Sequence, residues 1–481
     1  MGIGTPMLVA VFCIPILIRG LGKERFGVLA LAGVLIGYGT LFDMGLGRAL
    51  TQLVARKLGA REEHEVPALV WTSLLLMLSL GLVGTTVLFI LSPWLVHRIL
   101  NVPAGLQHET LQSFYLLAIS VPLVIVTAGL RGLLEGYQRF DLINMIRIPM
   151  IVFSFVGPLL VLPFSRSLFP AVGILVVGRL LGCVAHLLLC FRIAPELLDR
   201  IAWQPAAAGH LLRFGSWMTV TNVVGPLMVT LDRFVIGALV SMTAVAHYAT
   251  PYEVVTKLWV IPGALVGVMF PAFSTSFVQD RSRAALLYGR TVKYIFLTLF
   301  PVVLLIVVLA QDGLKLWLGA EFAHHSARAL QWLAGGVFMN SLAQVPFAMV
   351  QGAGRPDLTA KLHVVELPLY LLALWWLIGA LGIEGAAIAW TARVAVDTAV
   401  LFLLANRFFS GSAPYLRRTL MPTIAALLVL LMAGRPSAIE SKVIVLVVVY
   451  LAYGVASWFL ILSREDRVLV LGYLRQYQVS N

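Results

Sequence analysis

Long, uninterrupted apolar runs constrain the fold of this chain more than any other feature. Mean hydropathy is +0.95, 60% of the residues are hydrophobic and only 12% are charged. Soluble domains carry about 25% charged residues. A membrane-spanning β-strand would show alternating segments of about ten residues, whereas a spanning helix needs about 20 continuous apolar residues. The continuous runs therefore predict an all-α polytopic membrane protein.

The apolar runs are numerous enough for a large bundle of spanning helices. We predict about fourteen spans, near 2–18, 27–50, 67–92, 109–130, 143–163, 168–191, 212–240, 245–275, 293–311, 328–350, 358–380, 384–405, 419–433 and 441–462.

The basic residues predict how these spans are oriented. If the N-terminus is cytoplasmic, twenty lysines and arginines lie in cytoplasmic loops and the C-terminal tail, against nine in the opposite loops. The positive-inside rule therefore places both termini in the cytoplasm. The net charge of +13 is spread over short loops, so we expect no nucleic-acid partner.

A short internal repeat predicts how the spans are grouped. Segments 135–142 and 351–358 both follow an even-numbered span, six spans apart, and they match at Gly136/Gly352, Arg139/Arg355, Asp141/Asp357 and Leu142/Leu358. This spacing predicts two six-helix lobes, 1–208 and 209–410, related by a parallel pseudo-repeat, followed by two additional helices and a cytoplasmic tail in 411–481.

The repeated segment itself has two interpretations. As a structural turn, its glycine would adopt a left-handed backbone, its aspartate would cap the next helix, and its arginine would lie at the lipid headgroups. Alternatively, the turn is a hinge of a gate.

Ionisable residues in or beside the spans are the candidates for a binding site. Such residues usually face a bundle interior or a watery cavity. Arginine and lysine suit the phosphate oxygens of an anionic diphosphate. The cavity candidates are Arg48, Arg179, Asp232, Arg233, Glu253, Lys257 and Arg393.

The same residues also have a purely structural interpretation. Glu253 and Lys257 are four residues apart and can neutralise each other, while Asp232 and Arg233 can reach water at a helix end. The neighbouring helix-breaking residues are candidate hinges: Gly225, Pro226 and Pro251.

The chain lacks the motifs expected of an enzyme. It contains no P-loop, H-E-x-x-H or G-x-S-x-G sequence, and Cys13, Cys183 and Cys190 have no metal-binding or disulfide spacing. We therefore expect no catalytic residue, no metal site and no resident cofactor.

Several segments together resemble one known family. They are PILIRGLG at 15–22, ERFG at 24–27, DMGLGRA at 43–49, DRFVIG at 232–237, Tyr248, and Phe270 with Pro271. In their order and predicted topology they resemble oligosaccharide flippases of the polysaccharide-transporter type. This family lies in the MOP superfamily, which also contains MATE exporters and lipid II flippases. The likeness covers most of 1–410.

The resemblance implies a function and a site. A flippase of this type would move a polyprenyl-diphosphate-linked oligosaccharide across the bacterial inner membrane by alternating access, through a cationic cavity to which Arg48, Arg233 and Lys257 would contribute. Its expected partners are this substrate, the bilayer, and polysaccharide polymerase and assembly proteins. Coupling to Na⁺ or H⁺ is left open.

Two alternatives remain open from the sequence. A cation-coupled exporter of the MATE type typically carries an acidic residue in its first helix, and the first predicted span has none. An integral-membrane glycan ligase or polymerase would need a sizeable external loop, whereas the predicted external loops are short.

Overall fold

A computed structural model describes nine ranges of the chain: 4–39, 46–59, 61–198, 228–266, 281–352, 355–408, 413–436, 438–463 and 466–467. The regular elements in these ranges are helices. The chain forms two compact units, one from Met1–Thr250 with Leu371–Ala386 and the other from Pro251–Tyr370 with Ala387–Asn481. Each unit is described separately below.

The first unit contains most of the N-terminal helices. They are α1 (Gly4–Leu21), α2 (Lys23–Gly39), α3 (Leu46–Gly59), α4 (Val66–Trp94), α5 (Ala104–Gly136), α6 (Phe140–Val161), α7 (Leu168–Ile193), α8 (228–239) and the beginning of α9 (Met242–Thr256).

The second unit begins inside α9, at Pro251. Its further helices are α10 (260–266), α11 (Arg281–Val308), α12 (Ala310–Leu318), α13 (Ala320–Gly352), α14 (Pro356–Leu381), α15 (Ile383–Phe408), α16 (Ala413–Ala433) and α17 (Ile439–Ala456). The C-terminal part of α14 and the first residues of α15 belong to the first unit.

The predicted all-α polytopic fold is confirmed. Each of the fourteen apolar runs coincides with helix in the described ranges, and nine helices in those ranges are long and apolar enough to span a membrane. The second predicted span, 27–50, includes residues 40–45, which lie outside the described ranges, and on either side of them lie α2 and α3.

Close backbone packing holds the first unit together. Leu50 and Val54 of α3 are buried in one cluster with Met77 of α4 and Ile125 of α5. A Cβ atom added to Gly132 would lie 2.5 Å from the carbonyl oxygen of Gly47, so α5 and α3 touch where both lack a side chain. Membrane helices associate largely through such contacts of small residues, since lipid offers no hydrophobic drive between them.

In the second unit, hydrogen bonds connect α13 to the neighbouring segments. In some of them a side chain of α13 is the donor, and in another a backbone carbonyl of α13 is the acceptor. Gln331 donates from Nε2 to the carbonyl oxygens of Val307 (3.1 Å) and Gly434 (3.2 Å). The Thr391 hydroxyl of α15 donates to the carbonyl of Trp332 at 2.9 Å. Buried polar groups in membrane proteins need such partners, so these bonds fix α13 between its neighbours.

The two copies of the repeated segment share one ion pair in the part of the chain that the structure describes. Arg139 donates from Nε and Nη2 to the Asp141 carboxylate at 3.0 and 2.9 Å. Arg355 donates from the same two atoms to Asp357 at 2.9 and 3.2 Å. Each bidentate pair stands at the beginning of a helix, α6 or α14. The lobes 1–208 and 209–410 and the tail 411–481 stay a prediction.

Two details of the predicted turn are wrong. Gly136 does not adopt a left-handed backbone, since it ends α5, and the left-handed residue is Gln138 (φ 58°). Glycine is required at 136 by space instead, because an added Cβ would lie 2.7 Å from Cγ1 of Val54. Asp141 is not the cap of α6: Arg139 holds that position, and the aspartate binds its guanidinium.

Candidate functional site

Glu253 and Lys257 form an ion pair at the end of α9. The Lys257 Nζ donates to Glu253 Oε2 at 3.0 Å. The lysine side chain is 31% exposed and the glutamate side chain is 36% exposed. At Lys257 the α-helix gives way to a 3₁₀ turn, so the pattern of backbone hydrogen bonds changes at this residue. The predicted i,i+4 pairing is therefore present, and both side chains are partly exposed.

Asp232 and Arg233 lie in a buried environment of the first unit. The Tyr248 hydroxyl donates to Asp232 Oδ2 at 2.6 Å, and the backbone N–H of Arg233 donates to Oδ1 at 2.7 Å. Both side chains are buried. The aspartate therefore ties α8 to α9 as a hydrogen-bond acceptor, which satisfies a group that would be costly if left alone.

The remaining predicted site residues are placed as follows. Arg179 of α7 donates from Nη1 to the Ser120 hydroxyl of α5 at 3.2 Å. Arg48 lies in α3, and its side chain is outside the described residues. The hinge candidates Gly225 and Pro226 are outside them as well, whereas Pro251 is buried within α9. Their roles in binding and hinge motion stay predictions.

A cluster of ionisable side chains joins α14 and α15 in the second unit. The Arg393 guanidinium lies 3.6 Å from Glu366, and the His363 Nε2 lies 3.5 Å from Asp397. One ligand-type atom from each of His363, Glu366 and Asp397 lies within 4.8 Å of the other two. We refer to His363, Glu366, Arg393 and Asp397 as the α14–α15 cluster. The arrangement can hold a positively charged ligand.

Of this cluster, only Arg393 was a predicted site residue. Its α14 members are three residues apart, so they share one helix face, and its α15 members are four residues apart. Each face is visible in the sequence. Their meeting is not, because it depends on how α14 and α15 pack. Three side chains of metal-ligand type therefore lie close together although their spacing in the sequence does not indicate a metal site.

Outside the spans, the C-terminal segment is held by one carboxylate. Asp466 accepts hydrogen bonds from the Tyr294 hydroxyl (2.9 Å) and the Ser463 hydroxyl (2.6 Å), and it forms an ion pair with Lys293. Burial opposes ionisation of this carboxyl, yet the donors outweigh it and lower the pKa of Asp466. The residues after α17 are thereby joined to α11.

Comparison with known proteins identifies the family. The family model described as polysaccharide biosynthesis protein matches residues 16–327. A Shigella flexneri protein, whose name assigns it to O-antigen transport, is 31% identical over 413 residues, which cover 85% of this chain and 96% of that protein.

The chain belongs to the polysaccharide biosynthesis protein family.

A second protein similar to this chain is the Escherichia coli (strain K12) lipopolysaccharide biosynthesis protein WzxC. It is 22% identical over 364 residues, which cover 75% of this chain and 69% of that protein. The predicted resemblance to the polysaccharide-transporter family is thus confirmed.

Solved structures show that the family member has the MOP superfamily fold. An inward-facing multidrug resistance MATE family transporter of this superfamily matches with a TM-score of 0.73 at 16% identity, covering 86% of this chain and 96% of that one. The inward closed lipid II flippase MurJ matches with a TM-score of 0.70 at 11% identity, covering 95% and 97%. At these identities the likeness concerns the fold alone.

Proposed function

We propose that this protein translocates a polyprenyl-diphosphate-linked oligosaccharide from the inner to the outer leaflet of a bacterial inner membrane, for surface polysaccharide biosynthesis. The observation that carries the proposal is the 31% identity, over 85% of this chain and 96% of the relative, to a protein named for O-antigen transport. The nine helices of spanning length in the described ranges supply the bundle that such a transporter needs.

The three parts of this substrate make different demands on the protein. The polyprenyl tail stays in the bilayer, the glycan needs a wet path, and the diphosphate needs cations. A charge-assisted hydrogen bond contributes about 1.5–3 kcal/mol, so one or two basic side chains are enough to select the diphosphate. Alternating access opens the path to one leaflet at a time.

Exposure ranks the basic candidates for the diphosphate. Lys257 is 31% exposed, and its partner Glu253 can release it to a phosphate group that binds more strongly. Arg233 is buried, and the side chain of Arg393 is only 8% exposed and faces Glu366. Lys257 is therefore the first docking residue, and the buried arginines would act only after a conformational change.

Orientation and partners belong to the same proposal. The excess of lysine and arginine in the even-numbered loops supports cytoplasmic termini in the inner membrane. A polysaccharide polymerase and assembly proteins would receive the translocated glycan on the far side.

Other functions have less support. Similarity to the Acinetobacter baylyi multidrug resistance protein NorM covers only 30% of the chain, at 29% identity. The described helix α1 contains no acidic residue of the kind expected in an exporter of the MATE type. For an integral-membrane enzyme, the Shigella flexneri relative gives no support, because its name is that of a transporter.

Deletion of the gene in its native host tests the proposed function. We expect loss of the surface polysaccharide together with accumulation of the lipid-linked oligosaccharide on the cytoplasmic leaflet, and restoration of both by the wild-type chain. Unchanged surface polysaccharide in the deletion strain would contradict the proposal, whereas hypersusceptibility to drugs alone would favour the exporter.

A further inference from the structure

A proline removes one backbone hydrogen bond from the middle of α11. Pro301 lies inside this helix of 28 residues. In an α-helix each N–H donates to the carbonyl four residues earlier, and proline has no N–H. The carbonyl of Leu297 therefore receives no donor from residue 301. Because no water reaches the interior of a bilayer, this carbonyl needs a donor from another part of the protein.

A tyrosine of α17 supplies the missing donor. The Tyr453 hydroxyl donates to the carbonyl of Leu297 at 2.7 Å. On the same side of α17, the Tyr450 hydroxyl donates to the carbonyl of Pro301 at 2.9 Å. That second carbonyl also has its regular helix partner, the N–H of Leu305. Of the two tyrosines, Tyr453 is thus the one that replaces a bond which α11 cannot make itself.

The ring of Tyr453 is packed against aromatic side chains of α11. Its centroid lies 5.2 Å from that of Phe300 and 6.5 Å from that of Phe296. Both phenylalanines are buried and contact Phe338 of α13, with centroid distances of 6.1 Å for Phe300 and 5.7 Å for Phe296. These contacts hold the tyrosine ring in place, so that its polar end reaches the backbone of α11.

Polar contacts also join α17 to its neighbours at both of its ends. Lys442, at the beginning of α17, donates to Asp312 of α12 at 2.6 Å. Asp466, beyond the end of α17, pairs with Lys293 of α11. Of the residues of α17, all of which are described, only Lys442 is buried. Lipid provides no hydrophobic drive for the association of helices, so the polar contacts at these three levels hold α17 in place.

The proline makes the contact with Tyr453 difficult to break. If α11 moved away from α17, the carbonyl of Leu297 would lose its donor, and residue 301 could not replace it. A helix with any other residue at that position would keep its own hydrogen bond after such a movement. Separation of α11 from α17 would therefore leave an unpaired carbonyl in the membrane.

We propose that Tyr453 replaces the hydrogen bond that Pro301 removes from α11, and that α11 and α17 consequently move as one rigid body during transport. Since α17 lies outside the two predicted six-helix lobes, this gives it a role as the fixed partner of α11. The joint movement rests on the proposed function, whereas the coupling between Tyr453 and Pro301 does not.

Thermal unfolding of the purified full-length protein tests the coupling. Tyr453→Phe removes the donor but keeps the ring, so the Tm should fall. Pro301→Ala restores an N–H at residue 301, so Tyr453→Phe should have little effect on the Tm in that background. Tyr450→Phe is the matched control, because the carbonyl to which it is bonded keeps the N–H of Leu305, and it should lower the Tm less than Tyr453→Phe.

Chemical cross-linking tests the joint movement. Asp312→Cys and Lys442→Cys, combined in one chain, place two thiols where α12 meets α17. A short bifunctional thiol reagent that a reductant can cleave joins them, while the native Cys13, Cys183 and Cys190 are buried. Surface polysaccharide export is measured in the deletion strain with and without the reagent. We expect the cross-linked protein to export as well as the same variant without the reagent.

Three outcomes would overturn the proposal. The coupling is wrong if Tyr453→Phe lowers the Tm equally in the wild-type and Pro301→Ala backgrounds. It is also wrong if Tyr453→Phe lowers the Tm no more than Tyr450→Phe, a comparison that needs no change at the proline. Joint movement is wrong if cross-linking stops export and the reductant restores it. Absence of export by the wild-type chain would instead contradict the flippase proposal, and the thermal measurements would still decide the coupling.

Discussion

Replacement of Lys257 separates a substrate-binding role from a structural one. Its pair with Glu253 is a partly exposed i,i+4 ion pair at 3.0 Å, with side chains 31% and 36% exposed. Pairs of this kind contribute about 0.3–0.5 kcal/mol to stability. Lys257→Ala is therefore expected to leave the amount and the thermal stability of the protein close to wild type.

The effect on transport should be much larger. If Lys257 contacts the diphosphate, its removal forfeits a charge-assisted hydrogen bond worth about 1.5–3 kcal/mol, which corresponds to a loss of roughly 10- to 150-fold. Export of the lipid-linked oligosaccharide, measured as surface polysaccharide per molecule of transporter in the deletion strain, gives this number. Lys257→Arg should retain part of the activity because it keeps the charge.

Two variants are the controls. Glu253→Gln breaks the same ion pair but keeps the cation, so export should persist or rise. Lys361→Ala removes a lysine from another i,i+4 pair, 3.6 Å from Asp357 and 74% exposed, and should have no effect. Equal losses of export in Lys257→Ala and Glu253→Gln would refute the binding role and show that the pair itself is what matters.

Three further predictions concern stability, each measured by thermal unfolding of the purified protein. Asp466→Asn breaks a largely buried ion pair with Lys293 and should cost roughly 3–5 kcal/mol. The pKa of Asp466 is lowered in the folded protein, so this contribution to the free energy of unfolding is fully present above the ordinary pKa of 3.8. It is lost as the pH falls from there towards the pKa of the folded state. Wild type and variant should therefore differ in stability at pH 7 and converge in strong acid. Gly136→Ala overpacks the contact with α3 and should cost about 1–3 kcal/mol; unchanged stability would contradict the steric account of this glycine. Tyr248→Phe removes the hydroxyl bonded to buried Asp232 and should cost about 1–3 kcal/mol, with a neutral result showing that the aspartate finds another donor.

The fold was predictable from the sequence because a spanning helix is a local feature. Its backbone hydrogen bonds are all internal, so an apolar run of sufficient length specifies it without knowledge of its neighbours. The ion pair of Glu253 and Lys257 was predictable for the same reason, since both residues lie on one helix.

The parts that could not be predicted depend on contacts between helices. His363 and Asp397 are brought together by the packing of α14 on α15, which no spacing in the sequence reveals. Gly136 was assigned a backbone role, whereas Val54 of α3 is what requires a residue without a side chain there. Lys257 illustrates the limit for function, because its partner is visible in the sequence but its exposure is not.

The central claim, that this protein moves a lipid-linked oligosaccharide between leaflets, is tested most directly by reconstitution. The purified protein is placed in liposomes that carry a polyprenyl-diphosphate-linked oligosaccharide on the inner leaflet, and the fraction of glycan reached by an added, membrane-impermeant glycosidase is followed with time. We predict that the accessible fraction rises with wild-type protein and rises much more slowly with Lys257→Ala. Accessibility that stays at the level of protein-free liposomes would contradict the account.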